Sequence, residues 1–236
     1  QMCIRDREGD MYPGKYAEQN PDRSAFVMAA TGERVSYQEF EARSNRVAHY
    51  LADKGLGFQD HYSIFMENNN RYLESCAAGE RSGLYFTCIN SFLTSDELAY
   101  IINNSESQIL ITSMSKLEAA QEALAQCTAI KEVLVVGAGD ADLPEGMSDF
   151  ASTLSKYPET PLERELLGAA MLYSSGTTGR PKGIVRPLPE QSPNEPLPVI
   201  GFLSGLWRYR EDMIYLSPAP LYHSAPQAAV GLTLRM

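Results

Sequence analysis

The chain has 236 residues, with twenty Lys and Arg against thirty Asp and Glu, for a net charge of −10. Its 44% hydrophobic and 21% charged residues make a globular composition, which excludes a disordered or low-complexity chain and suffices for a buried core in one large domain or two small ones. The acidic balance argues against general nucleic-acid binding and adhesion to anionic lipid, both of which need a basic face, and no apolar run approaches the roughly 18 residues of a membrane span.

Gln1 to Asp10 is charged and lacks an apolar stretch, so it does not read as a secretory signal. Ser36 and Glu39 then form an S-x-x-E capping box, in which two side chains satisfy the first free amides of a helix. Phe40, Ser44, Val47, Ala48 and Leu51 follow on one helical face, and Gly55 closes the segment. His61 to Met66 reads as a strand, Arg71 to Ser82 as a helix ending near Gly83, and Leu84 to Ile89 as a second strand. Thr94 and Glu97 make another capping box ahead of Leu98, Ile101 and Ile102. Gln108 to Thr112 is a strand, Ser115 and Glu118 suggest a third box before Ala120, Ala123 and Leu124, and Val133 to Val136 is a buried-type strand stopped by Gly137. Strands alternating with helices of this length imply βαβ units, hence an α/β fold with largely parallel sheets flanked by helices.

Gly139 to Pro161 is looser, with one helical stretch near Phe150, and is expected to separate two lobes. Ala169 to Tyr173 is a short apolar run. Pro187 to Pro198 carries five prolines and is expected to be an exposed connection, since proline supplies no backbone donor. Met213 to Leu216 reads as a strand before a Pro-rich turn at Ser217 to Pro220, and Ala228 to Leu234 as helix interior. The cysteines, Cys3, Cys76, Cys88 and Cys127, are widely spaced, with no CxxC and only His49, His61 and His223 as co-ligands. Neither a structural zinc site nor a disulfide framework is expected, and reduced, inert thiols in a cytoplasmic protein are.

Tyr173-Ser174-Ser175-Gly176-Thr177-Thr178-Gly179-Arg180-Pro181-Lys182-Gly183 is the most informative stretch. It follows a strand, the side from which ligands approach open α/β sheets. Four hydroxyls and two glycines fall within six residues, so amides and hydroxyls can turn together toward one anion. No acidic residue stands between Glu165 and Glu190, yet Arg180, Lys182 and Arg186 do, a local surplus of three positive charges in an acidic chain. The spacing does not match the G-x-x-x-x-G-K-[ST] phosphate loop, because Pro181 stands where its second glycine would be.

The stretch resembles, nearly letter for letter, the [ST]SGTTG-x-PKG signature of the adenylate-forming superfamily, which includes acyl-CoA synthetases, luciferases and the adenylation domains of peptide synthetases. The resemblance extends from about Tyr12 onward through NPDRSAFV (20–27), VSYQEFEARSNRVAHYL (35–51) and GLYFTCINSFLTSDELAYII (83–102). Residues 1–11 lie outside it, and the Pro-rich stretch after Arg186 departs from it, since a helix commonly starts near that position in the family. A second segment, Ser217-Pro218-Ala219-Pro220-Leu221-Tyr222-His223-Ser224-Ala225-Pro226, is similar to the PLFH-type motif.

What the resemblance implies is an ATP-dependent acid–thiol ligase: a small-molecule carboxylic acid is activated to acyl-AMP, and coenzyme A then displaces AMP. Ser174, Ser175, Thr177 and Thr178 would hold the β- and γ-phosphates, with Gly176 and Gly179 allowing close backbone contact. Lys182 would place its charge toward the leaving pyrophosphate, and Mg2+ is implied with the Ser174 hydroxyl as one ligand. His223 would lie beside the carboxylate and α-phosphate, Tyr222 would form pocket wall, and Arg180, at a variable position, a solvated surface. The domain expectation is a first α/β subdomain over 12–165 and the start of a second over 166–236. A YGxTE-like segment, a TGD segment and the C-terminal lid are not found, so an N-terminal fragment with little or no activity of its own is expected. A non-catalytic nucleotide- or acyl-binding module and a peptide-synthetase adenylation domain remain as alternatives.

Overall fold

In the computed structural model, residues 12–174, 179–195, 197–210 and 213–236 are described. A short helix α1 (Pro13–Gln19) and a β1–β2 hairpin (Ser24–Val27, Arg34–Ser36) precede the main sheet. Helix α2 (Tyr37–Asp53) starts at the expected box: Ser36 Oγ accepts from the Glu39 amide, and the Glu39 carboxylate accepts from the Ser36 amide at 2.9 Å. There follow β3 (His61–Phe65), α3 (Tyr72–Ser82), β4 (Tyr85–Cys88), α4 (Ser95–Asn104), β5 (Ile109–Ser113), α5 (Leu117–Leu124) and β6 (Glu132–Val136). Thr94 and Glu97 cap α4 reciprocally, as the sequence leads one to expect. Gly83 ends α3 in the left-handed conformation at φ 68°, open to glycine without steric cost.

Two further elements complete the sheet. Strand β7 (Met147–Asp149) pairs with β6, and β8 (Ala169–Ala170) pairs with β4, giving the order β7-β6-β5-β3-β4-β8 with every pair parallel. The α/β expectation therefore holds, with helices on both faces. Strand burial explains why: every residue of β4 and β5 is buried, which a parallel sheet covered on both faces requires. Tyr62, Ile64, Ile109 and Ile111 pack under α2 and α3, while Phe65, Leu110, Val133 and Val135 pack under α4 and α5.

Several local expectations fail for physical reasons. Ser115 and Glu118 do not cap α5: Met114–Lys116 forms a 3-10 turn and Ser115 Oγ instead donates to Glu67 at 2.6 Å, so the hydroxyl is engaged elsewhere. The looser region does not separate the sheet, because β7 and the helix after it, α6 (Phe150–Leu154), belong to it; Asp149 caps α6 through the Ser152 amide. Met213 to Leu216 is not a strand; it is irregular chain with Ile214 94% exposed, and among the described residues no strand pairs with it. The proline stretch is only partly exposed, since Leu188 and Pro193 are buried and Gln191 accepts from the Leu167 amide at 2.8 Å. Its last proline opens a helix, α7 (Pro198–Leu206), where a first-turn proline loses no bond.

Candidate active site

The chain leaves β8 and immediately forms a hairpin, β9 (Leu172–Ser174) against β10 (Lys182–Ile184), antiparallel, with Lys182 opposite Ser174 and Gly183 opposite Tyr173. Directly opposed residues of an antiparallel pair share one face at about 4.5–5.5 Å between Cβ atoms. The first hydroxyl of the sequence motif and its lysine are thus brought to one mouth. Ser175, Gly176, Thr177 and Thr178 lie outside the described residues. Ser174, Gly179 and Lys182 are exposed, and among the described residues the Lys182 ammonium makes no ion pair or hydrogen bond. Gly179 stands at φ 119°, a backbone conformation that side chains oppose.

Helix α4 and strand β4 hold the base of the hairpin. Tyr100 donates its hydroxyl to the Pro181 carbonyl at 3.0 Å, Tyr173 donates to Asn104 Oδ1 at 2.7 Å, and Tyr85 donates to the Arg186 carbonyl at 2.5 Å. Tyr85, Met171 and Leu188 pack as a small cluster with Phe58 and Tyr173 at its edge. Arg180 is exposed, and its guanidinium lies 5.0 Å over the Tyr100 ring, so it braces the loop's exit as well as meeting solvent. A Cβ on Gly183 would lie 2.4 Å from Met171 Cε and 2.9 Å from the Tyr173 ring, so this position takes glycine because the hairpin lies flat on its neighbours.

His223 stands at the other anchored element, as the residue preceding helix α8 (Ser224–Leu234), with its ring exposed and 4.5 Å from the Tyr222 ring. It gives the helix no side-chain cap. The segment before it is pinned from the turn after β3: the Leu221 amide donates to Asn68 Oδ1 at 2.9 Å, and Asn68 Nδ2 donates to the Ala219 carbonyl at 3.2 Å. Leu221 is buried in the core beneath. Among the described residues no hydrogen bond or ion pair joins His223 to Ser174, Gly179 or Lys182. Tyr222 is half-buried against the same core. Phe202 and Trp207, in and after α7, are 68% and 46% exposed.

Residues 14–235 match the family of AMP-binding enzymes. The chain belongs to this family. The 3-oxocholest-4-en-26-oate--CoA ligase of Rhodococcus rhodochrous is 31% identical over 169 residues, which are 70% of this chain and 30% of that enzyme. Among solved structures, the anthranilate CoA ligase AuaEII in complex with anthranoyl-AMP matches with a TM-score of 0.75 at 17% identity, over 94% of this chain and 42% of that one. The inhibitor-bound N-terminal domain of FACL13 from Mycobacterium tuberculosis matches with a TM-score of 0.73 at 20% identity, over 96% and 55%. These two show the fold. The chain spans about a third of the length of the curated relatives it matches. The resemblance to adenylate-forming enzymes, and to acyl-CoA synthetases in particular, is borne out.

The donor set at this hairpin has chemistry that phosphate oxygens accept: among the described residues it offers the Ser174 hydroxyl and an ammonium with no partner, and it contributes no carboxylate. It suits a bare divalent cation poorly, because Ser174 supplies a single neutral oxygen and no group of three His, Cys, Asp or Glu gathers among the described residues. Magnesium commonly keeps waters and takes the remaining oxygens from substrate phosphates, and one hydroxyl fits that role.

Asn68, Tyr100, Asn104 and Gln227 are the positioning residues that pattern reading passes over. Each acts on a partner far along the chain, and an asparagine in the run Asn68-Asn69-Asn70 carries no signal of a partner at Leu221. The turn after β3 does carry a topological signal, since β3 sits where the strand order reverses and ligands of doubly wound sheets approach the carboxyl ends there.

Proposed function

We propose that this chain is the phosphate-gripping and acid-admitting part of an acyl-CoA ligase. A carboxylate oxygen attacks the α-phosphorus of ATP, the bond to the β-phosphate oxygen breaks, and acyl-AMP and pyrophosphate form; the thiol of coenzyme A then takes the acyl group and AMP leaves. The observation that carries the reading is the hairpin register, which sets Ser174 and Lys182, without a partner among the described residues, side by side at the ends of a hydroxyl-rich sequence.

The first step brings one anion to another, so it depends on positioning and on charge stabilisation. Lys182 meets the negative charge that grows on the departing pyrophosphate. At about 5 Å and an effective dielectric near 20, one such pair contributes roughly 3 kcal/mol. Ser174, with Ser175, Thr177 and Thr178, donates hydroxyls to the β- and γ-phosphates, and Gly176 and Gly179 let the backbone approach. Magnesium, when bound, would be held by the Ser174 hydroxyl and would supply charge neutralisation. His223, exposed at the start of α8, orients the acid, and Tyr222 walls its pocket. The names of the relatives, which include fatty-acid and steroid-acid CoA ligases, favour an apolar acid as substrate.

Lys182→Ala, placed in a complete enzyme, tests the reading. Removing one well-placed donor to developing charge typically slows a reaction about 10²–10³-fold, so ATP–pyrophosphate exchange is expected to fall by a comparable factor, and MgATP to bind at least about tenfold more weakly by calorimetry. Exchange within about threefold of the parent, with unchanged MgATP affinity, refutes the assignment.

A further inference from the structure

The thiols expected to be isolated are not. Cys76, on α3, and Cys88, the last residue of β4, bring their sulfurs to 3.7 Å from each other, both buried. Gln227, one turn into α8, covers them: its side-chain amide donates to Cys88 Sγ at 2.9 Å and lies 3.9 Å from Cys76 Sγ. Tyr72, one turn before Cys76 on α3, has a buried hydroxyl with no hydrogen-bond partner among the described residues. The Gln227 amide and the Cys76 sulfur both reach Cys88 Sγ. Burial pushes the Cys88 thiol up, but its Cys76, Tyr72 and Gln227 neighbours together outweigh it and hold the group below its usual range. Cys76, by burial first and by its neighbouring sulfur second, is pushed well up. The two sulfurs are thus unequal in how readily they ionise, which is the asymmetry that thiol oxidation uses.

We propose that Cys76 and Cys88 form a redox-active dithiol beneath α8, with Cys88 as the attacking sulfur and Cys76 as the resolving one, and a small hydroperoxide as oxidant. The Cys88 sulfur attacks the terminal peroxide oxygen, the O–O bond breaks, and the departing oxygen takes a proton and leaves as water or alcohol. The resulting sulfenic acid is attacked by the Cys76 sulfur; its S–O bond breaks, and hydroxide leaves with the Cys76 proton as water. Two thiols lose two electrons and two protons, and the peroxide gains them. Closing the pair from 3.7 Å to a disulfide of about 2.05 Å draws the sulfurs together and withdraws the acceptor that Gln227 uses. The consequence reaches the turn that bears His223, whose carbonyl accepts from the Gln227 amide at 3.1 Å.

The protein is treated with hydrogen peroxide, denatured, alkylated and mapped by mass spectrometry. The expected result is loss of alkylation at Cys76 and Cys88 together, in a cross-linked peptide lighter by two hydrogens that dithiothreitol separates. Full alkylation of both after a treatment that oxidises Cys127, or Cys88 advancing to sulfinic acid with Cys76 still free, overturns the proposal. In Cys76→Ala, dimedone is expected to label Cys88; in Cys88→Ala, it is expected to leave Cys76 unlabelled, and the reverse pattern overturns the assigned roles. The mapping of the unmodified sequence decides the pair even where a variant fails to fold.

Discussion

Asn68→Ala isolates the link between the parallel sheet and His223. The substitution removes two hydrogen bonds, to the Leu221 amide at 2.9 Å and to the Ala219 carbonyl at 3.2 Å. Asn68 is exposed, so water replaces much of what is lost there, but the Leu221 amide heads a buried side chain. One neutral bond contributes about 0.5–1.5 kcal/mol net, and an amide left without a partner costs more. The segment 219–222 should therefore open more easily by about 1–2 kcal/mol, a five- to thirtyfold fall in protection. Amide hydrogen exchange at Leu221 reads this directly, and denaturant unfolding should show a smaller change, because the core beneath stays packed. Asn68→Asp is the control: it keeps the acceptor for Leu221 and loses the donor to Ala219, so Leu221 protection should be largely retained. If Leu221 exchanges at the parent rate in Asn68→Ala, the turn after β3 does not position the His223 segment, and the account of how the sheet presents that residue fails.

Three further outcomes follow from particular side chains. Gly79→Ala should cost about 1–3 kcal/mol by overpacking, because a Cβ there would lie 2.6 Å from the Tyr62 hydroxyl and 2.7 Å from the Phe86 ring; denaturation with an unchanged midpoint would show that α3 slides freely on the sheet. Glu74 is fully buried and its carboxyl is pushed up to about 7, by burial first, against the opposing pull of Arg71 and Arg43. Since the folded value lies above the ordinary 4.5, the folded state binds more protons between the two, and stability falls as pH rises from about 4.5 to 7 and is level beyond. Glu74→Gln should match the parent near pH 4 and exceed it by up to about 3 kcal/mol at pH 8; a difference that does not vary with pH rules out the titration. His223→Ala should reduce acid-dependent pyrophosphate exchange more than it weakens ATP, and leave stability within about 0.5 kcal/mol because the ring is exposed and caps nothing; equal losses for acid and ATP would make the residue structural.

Local chemistry was legible wherever the relevant partners are close in sequence. The boxes at Ser36–Glu39 and Thr94–Glu97 form because each needs only its own first turn. The box at Ser115–Glu118 has the same letters and does not form, because Glu67, distant in sequence, takes the Ser115 hydroxyl at 2.6 Å. Hydrophobic runs read as strands correctly at 61–66 and 133–136, where helices cover both faces of the sheet. They misled at Met213–Leu216, whose apolar residues find no neighbouring strand. The motif singled out the residues of the loop, but the hairpin register that pairs Ser174 with Lys182 could not be read from it. Register depends on where Tyr100, Tyr173 and Tyr85 find acceptors, and those acceptors are Pro181, Asn104 and Arg186.

The two parts of the site are held by separate sets of contacts. The hairpin bearing Ser174 and Lys182 rests on α4 and β4, while the segment bearing His223 rests on the turn after β3 and, through Gln227, on the end of β4. Between them the chain passes through an irregular stretch and an exposed helix, α7, none of whose residues is buried. The intervening chain is itself tied down at a few points, since Leu188 and Pro193 are buried and Tyr209 donates to the Ala229 carbonyl at 3.1 Å, so it and the shared support together fix the geometry between Lys182 and His223. Strand β4 is common to both sets: its first residue, Tyr85, ties the hairpin, and its last, Cys88, receives Gln227. A shift of β4 relative to β3 would move both parts at once, whereas a change confined to α8 would move His223 and leave Lys182 in place.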